Sequence, residues 1–338
     1  MKKIYSYLLP LFFLASCGAG KVAIENTQQV IFEYDESRPL NYGDTLAVSF
    51  YNVSLEGERT DVSRSIQLKI YGEGLYYDRK EQLLFIEKRP EVKDIEALNF
   101  QSVLRGKEDS VTFNQTLKLN FTGPLNLDLS GESGNKGYNR MSRLRPAILS
   151  RGKTGKDGHD GLDGEDAKPA KVHLWKSGEM YYARAELLGT DSVWIYQTTN
   201  KDSILINNSG GDGGDGGNGG DGSRGKKGKI GDDYEREPGI GGDGGNGGNG
   251  GDGGNGAAIE VIVHPNAQEV MTALSVINSG GKGGDAGEGG DAGKAGKPAV
   301  GQEDSVDGEE GSQGKNGNSG KAGSIPNVRV EKFEFKNW

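Results

Sequence analysis

Residues 210–231 read GGDGGDGGNGGDGSRGKKGKIG, with glycine at every third position from Gly210 to Gly231. Segments 241–256 (GGDGGNGGNGGDGGNG) and, within 280–301, residues 281–296 (GKGGDAGEGGDAGKAG) keep the same beat. Segments 152–164 (GKTGKDGHDGLDG) and 308–323 (GEEGSQGKNGNSGKAG) keep it with one glycine per triplet. A period of three fits neither an α-helix nor a β-strand; it is the period of a left-handed extended helix with three residues per turn. At about 3.1 Å per residue such a helix carries residues 210–231 over roughly 68 Å.

Three arrangements share that period. In a collagen trimer, proline fills many of the positions between glycines, yet the whole chain has 10 prolines, and the runs are short and separated by strands. In a disordered tail, the backbone entropy of glycine keeps the segments unfolded. In a bundle of polyglycine II helices within one chain, every amide must find a neighbouring backbone, because the helix has no internal hydrogen bonds. GGD and GGN triplets leave two glycine faces on which another backbone can approach and turn one polar side chain outward. The bundle reading therefore places two-glycine segments in the middle and the segments 152–164 and 308–323 at the edge.

The chain begins MKKIYSYLLPLFFLASCGAG: Lys2 and Lys3, then an apolar stretch too short to span a bilayer. Residues 1–16 read as a signal peptide. Leu14-Ala15-Ser16-Cys17 resembles the bacterial lipoprotein box, which implies that Cys17, the single cysteine, is acylated and anchors the mature chain to a lipid bilayer through a tether of residues 17–27. The resemblance implies a cell-envelope protein of the outer membrane, with the periplasmic or exterior face left open. A net charge of −9 argues against nucleic acid as a partner.

Residues 28–130 alternate apolar and polar side chains in short runs, such as Ile66-Gln67-Leu68-Lys69-Ile70 and Leu117-Lys118-Leu119-Asn120-Phe121. Period two with Gly, Asn, Asp and Pro breaks predicts an antiparallel β-sandwich. Residues 131–338 continue with strands near 172–175, 180–187, 192–196, 203–207, 258–264, 272–278 and 328–335, interrupted by the glycine segments. The fold class is thus all-β, a sandwich followed by a second sheet with an inserted polyglycine II bundle, and essentially no α-helix after the signal peptide. If strands joined by short turns alternate in direction, all three glycine excursions leave the same end of that sheet. The junctions Ile206-Asn207-Asn208-Ser209-Gly210 and Ile277-Asn278-Ser279-Gly280 repeat one pattern.

The triplets resemble those of glycine-rich springtail antifreeze proteins and of the receptor-binding tips of some phage adhesins. The outward row Asp212, Asp215, Asn218, Asp221, Asp243, Asn246, Asn249 and Asp252 reads as charged and hydrated, which suits ice poorly. The adhesin resemblance implies contact through the turns at the helix ends, around Tyr234 and Arg236 and around Ser305.

Catalytic and metal chemistry have few parts. His159, His173 and His264 fall on different elements, and the glycine runs lack the recurring apolar residue of calcium-binding β-roll repeats. No catalytic residue, metal or cofactor is assigned. Asp-Ser/Thr-aliphatic triplets at Thr45, Ser110, Ser192, Ser203 and Ser305 resemble the O-glycosylation acceptor of exported proteins in one group of Gram-negative bacteria; they equally suit turns before strands. The reading is an envelope lipoprotein with a structural or adhesive role, its partner an envelope protein or surface glycan. The alternatives are a subunit of a larger envelope complex and a glycan-acting sandwich hydrolase, for which a cleft with two carboxylates, Trp175 and Trp194 would speak.

Overall fold

The structure, a computed structural model, describes residues 24–70, 74–87, 97–106, 109–141, 151–231 and 234–334. Nearly every regular element is a strand, and the chain divides at Leu119 into two compact units. The sequence expectation of residues 28–130 as one sandwich needs correction at its end. Residues 125–128 pair with a strand of the second unit, so the first unit closes at Leu119.

The first unit comprises β1 (Thr27–Glu33), β2 (Thr45–Ala47), β3 (Ser49–Ser54), β4 (Arg59–Asp61), β5 (Ile66–Ile70), β6 (Leu75–Asp78), β7 (Leu83–Ile86), β8 (Ala97–Arg105) and β9 (Ser110–Lys118). They form three antiparallel sheets in the orders β1-β3-β4, β2-β7-β6 and β5-β8-β9. Period-two patterning puts Phe50, Ile66, Leu84, Phe100, Leu104 and Leu117 inside, each almost fully buried. Phe32 links the sheets, its ring centroid 5.2 Å from both Phe50 and Phe100. Such aromatic contacts add to the burial energy.

The second unit begins with β10 (Leu125–Asp128), β11 (Ala170–Ser177), β12 (Met180–Leu187), β13 (Val193–Thr198) and β14 (Ile204–Asn207). It continues with β15 (Ile259–Val263), β16 (Leu274–Ile277) and β17 (Asn327–Val330). It holds two sheets where the sequence suggested one: a parallel sheet β10-β14-β16 and a mixed sheet β13-β12-β11-β15-β17. Leu125, Leu127, Ile204 and Ile206 from the first meet Val172, Leu174, Ala183, Tyr196, Val261 and Val263 from the second in one buried core. Residues Pro265–Thr272 form a 3-10 segment, so β16 starts at Leu274, within the strand expected near 272–278.

Parallel pairing needs long crossover connections, and the glycine excursions supply them. Chain direction follows the alternation expected from the sequence. Strands β10, β14 and β16, each running into an excursion, lie side by side in one sheet, with Leu125 opposite Ile204 and Ile204 opposite Leu274. Strands β11, β15 and β17, which receive the returning chain, lie side by side in the other. All three excursions leave from one end of this sandwich.

Candidate functional site

Each excursion makes two extended legs, giving helix I (131–141), II (151–167), III (209–231), IV (239–257), V (279–299) and VI (308–323). Helix I was not recognised in the sequence, although Gly131, Gly134 and Gly137 keep the period. The outgoing helices I, III and V form one layer and continue the order β10-β14-β16. The returning helices II, IV and VI form the other and lead into β11, β15 and β17.

Within a layer, glycine N–H groups donate sideways. Gly134 donates to Asp212 O at 2.7 Å and Gly213 to Lys282 O at 2.8 Å; in the second layer Gly161 donates to Asn249 O at 2.8 Å and Gly250 to Lys315 O at 2.8 Å. Between layers, the bonds zigzag through the bundle at one level. Gly317 donates to Gly284, Gly284 to Gly251, Gly251 to Gly214, Gly214 to Leu162 and Leu162 to Asn135, all at 2.8–2.9 Å. The same relay recurs one triplet on, from Gly320 through Gly281, Gly254, Gly211 and Glu165 to Glu132. Chained bonds of this kind polarise and strengthen one another.

Position in the bundle explains glycine content. Helix V, bonded to III, IV and VI, has Ala286, Ala292 and Ala295 in place of the first glycine of three of its triplets. Helix III bonds to I, II, IV and V, and helix IV to II, III, V and VI, and both carry unbroken runs of two-glycine triplets. Their close approach leaves no room for a Cβ: one on Gly213 would lie 2.0 Å from Gly251 O, and one on Gly214 would lie 2.1 Å from Asn135 O. Helices I, II and VI, at the rims, make do with one glycine per triplet, as the sequence reading placed segments 152–164 and 308–323. Helix III admits one buried polar side chain. Buried Ser223 replaces the second glycine, and its Oγ accepts from Lys153 N at 2.7 Å.

The expectation that the Asp and Asn rows are merely hydrated needs correction. In helices II, III and IV, each Asp or Asn in the third position of a triplet uses a side-chain oxygen to accept the remaining backbone N–H of the next helix in its layer. Asp157, Asp160, Asp163 and Asp166 of helix II accept from Asn246, Asn249, Asp252 and Asn255 of helix IV at 2.6–2.7 Å. Asn246, Asn249 and Asp252 accept in turn from Ser312, Lys315 and Asn318 of helix VI. In the other layer Asp212, Asp215, Asn218 and Asp221 accept from Lys282, Asp285, Glu288 and Asp291. A short side chain ending in an oxygen acceptor is what this link requires, which accounts for Asp and Asn. The backbone N–H and side chain of Asn255 hold the Asp166 carboxyl below its usual range. Asp215 is lowered chiefly by Lys136, whose Nζ lies 2.7 Å away.

The far turns close on themselves. Lys229 and Arg236 exchange backbone hydrogen bonds of 2.8 and 2.9 Å. The Arg236 guanidinium donates to Lys227 O at 2.8 and 3.1 Å, so it braces the turn. Gln302 ties the second far turn to the first: its Oε1 accepts from Ala299 N and its Nε2 donates to Arg236 O at 2.9 Å. Tyr234 stands exposed, as do Ile230, Val300 and Val306. Ser305 is half-buried in the second turn.

Cys17 lies outside the described residues. Thr45 opens β2 and Ser110 opens β9, while Ser192 and Ser203 immediately precede β13 and β14. Ser110 and Ser203 are exposed, and Thr45 and Ser192 are half-buried. Trp175 and Trp194 occupy opposite faces of the five-stranded sheet. Trp175 stacks on Tyr182 at 5.3 Å, whereas Trp194 packs against the inter-sheet core. Among the described residues no three His, Cys, Asp or Glu side chains gather as a metal site, and no helix is long and apolar enough to cross a membrane.

No family model, curated protein or solved structure matches this chain. The functional reading therefore rests on the bundle itself.

Proposed function

We propose that the protein is a lipid-anchored cell-envelope protein of the outer membrane, held by acyl chains on Cys17, with a structural or adhesive role exercised through the bundle and its far turns. The observation that supports this most is the closure of the bundle within one chain. The glycine faces are consumed by helices of the same molecule. What is left for a partner is the polar third-residue faces and the turns bearing Tyr234, Ile230 and Val300. This favours presentation of a surface over the rival in which glycine faces pack against another subunit. The reading assigns no catalytic role, metal or cofactor. Thr45, Ser110, Ser192, Ser203 and Ser305 are proposed as O-glycosylation acceptors, the exposed Ser110 and Ser203 foremost.

Detergent phase partitioning of wild type and Cys17→Ala, with protease treatment of whole cells, tests the anchor. Wild type should enter the detergent phase and the variant should not; identical partitioning would remove the lipoprotein reading. Attachment of cells carrying wild type, no protein, or a Tyr234→Ala variant tests the adhesive role. Intact mass of the native protein tests glycosylation, since a mass equal to polypeptide plus lipid ends that part.

A further inference from the structure

The second unit contains a cleft that the bundle does not use. It lies where β10 passes into helix I, opposite the β12–β13 hairpin. Asp128, Ser130, Glu132, Ser133, Leu187 and Trp194 line it, around a volume of about 500 Å³. That is large enough for a small organic ligand.

From β13, Trp194 reaches the cleft. Trp194, Tyr196 and Thr198 share one face of β13. Thr198 Oγ1 donates to Gly123 O at 2.6 Å and fixes the far end of the strand. Tyr196 is 3% exposed, and its hydroxyl makes no hydrogen bond. Burial pushes its pKa up, and the nearby Asp128 charge adds to the shift. Trp194, at the bundle end of the strand, is only half-buried and presents its ring to the cleft.

The polar side of the cleft is held in place. Asp128 Oδ1 accepts from Ser130 Oγ at 2.6 Å, from Ser130 N at 3.2 Å and from Asn207 Nδ2 at 3.3 Å. The chain then enters helix I, whose backbone is bonded to helices II and III, so Glu132 and Ser133 project from a braced segment. Trp194 and Leu187 thus share the cleft with the carboxylates of Asp128 and Glu132 and the hydroxyls of Ser130 and Ser133.

We propose that this cleft binds an uncharged glycan. A sugar ring has one apolar C–H face, which suits the flat Trp194 ring, and a rim of hydroxyls, which donate well to carboxylates. Asp128 and Glu132 disfavour an anionic sugar. Asp128, already engaged with three donors, is an oriented acceptor more than a counter-ion for a cation. The inference concerns the sandwich wall and is independent of the anchor and of the far turns.

Isothermal titration of the full chain in detergent with cellohexaose, laminarihexaose and mannohexaose, and with tetralysine as the cationic probe, tests it. At least one hexaose should bind, with Trp194→Ala weakening it about tenfold, as expected for removal of an aromatic anchor. Because Trp194 also touches the core, Trp194→Phe and Glu132→Gln serve as milder variants. Glu132 is exposed, and its replacement should weaken binding about threefold through one lost charge-assisted hydrogen bond. Ile325→Ala, at an exposed position just before β17 on the opposite edge of the five-stranded sheet, should leave the affinity unchanged. Absence of binding to all three hexaoses would overturn the proposal. So would binding that survives both Trp194→Phe and Glu132→Gln unaltered, or binding of tetralysine alone.

Discussion

The Oδ1 atom of Asp163 accepts the backbone N–H of Asp252 at 2.7 Å, from the adjacent helix of the same layer. A polyglycine II helix leaves all its amides to be satisfied from outside. In helix IV the first amide of a triplet goes to helix VI and the second to helix III, and Asp163 satisfies the third. Asp163→Ala should therefore speed amide exchange at Asp252 about tenfold, the effect of one net hydrogen bond. Asp163→Asn, which keeps an acceptor, should restore protection. Equal exchange in both variants would make the Asp row incidental.

Gly251 sits in the inter-layer relay between Gly284 and Gly214, and a Cβ there would lie 2.1 Å from Leu162 O. Gly251→Ala should cost about 3 kcal/mol or more, since the obstacle is backbone on a neighbouring helix that is itself bonded on its other sides. Exchange should rise at Gly284 and Gly317 as well. Gly189, with φ of +83° and open space around it, supplies the contrast: its alanine variant should cost only about 1 kcal/mol of turn strain. Thermal unfolding of the two variants side by side checks the difference.

Much of this architecture was legible because glycine spacing and strand parity are local properties. The period of three gave the conformation, single glycines marked segments 152–164 and 308–323 as peripheral, and alternating strand direction put the excursions at one end. Helix I escaped notice because GESGNKG has only three glycines on the beat and no glycine pair. The role of the Asp and Asn rows was hidden for another reason: each partner lies 89, 70 or 66 positions away in the chain. Only the register of the layers brings them together. Arg236 likewise looked free for a partner, but its carbonyl acceptor on Lys227 appears only once the turn closes. The cleft at Trp194 depends on how β10 faces β13, which no local pattern encodes.

His173 carries a pH test. Its ring sits in the second unit 5.0 Å from Phe333, and burial, then the charges of Lys171 and Arg184, lower its pKa from 6.5 to about 4. Glu260 acts in the opposite sense and Arg329 in the same one. The folded state thus keeps His173 neutral while the unfolded chain takes up a proton below pH 6.5. Stability should be constant above that pH and decline as pH falls from about 6.5 to about 4. Asp166, Asp215 and Asp307, lowered from 3.8, and Glu260 and Glu269, lowered from 4.5, add their own loss of stability as pH falls below about 5.5. Denaturant midpoints should therefore fall for wild type from about pH 6.5 to 5.5 and stay level over that interval in a His173→Phe variant. A wild-type midpoint that is level from about pH 6.5 to 5.5 would contradict the assignment.

The far turns separate bracing residues from presenting ones. Gln302 and Arg236 hold the two turns through backbone carbonyls, whereas the Tyr234 ring is exposed. Gln302→Ala should raise amide exchange at Ala299, whose N–H it accepts, and loosen both turns with little effect on the relay at Gly251. Tyr234→Ala should change stability by no more than about 0.5 kcal/mol, as for a surface substitution away from special features, yet reduce cell attachment. If attachment depends on the shape of the joined turns, Gln302→Ala should reduce it too, although Tyr234 is still present. Attachment lost in Tyr234→Ala and kept in Gln302→Ala would mean that the side chain alone is recognised. Attachment kept in both would move the adhesive surface off the turns and onto the polar faces of the layers.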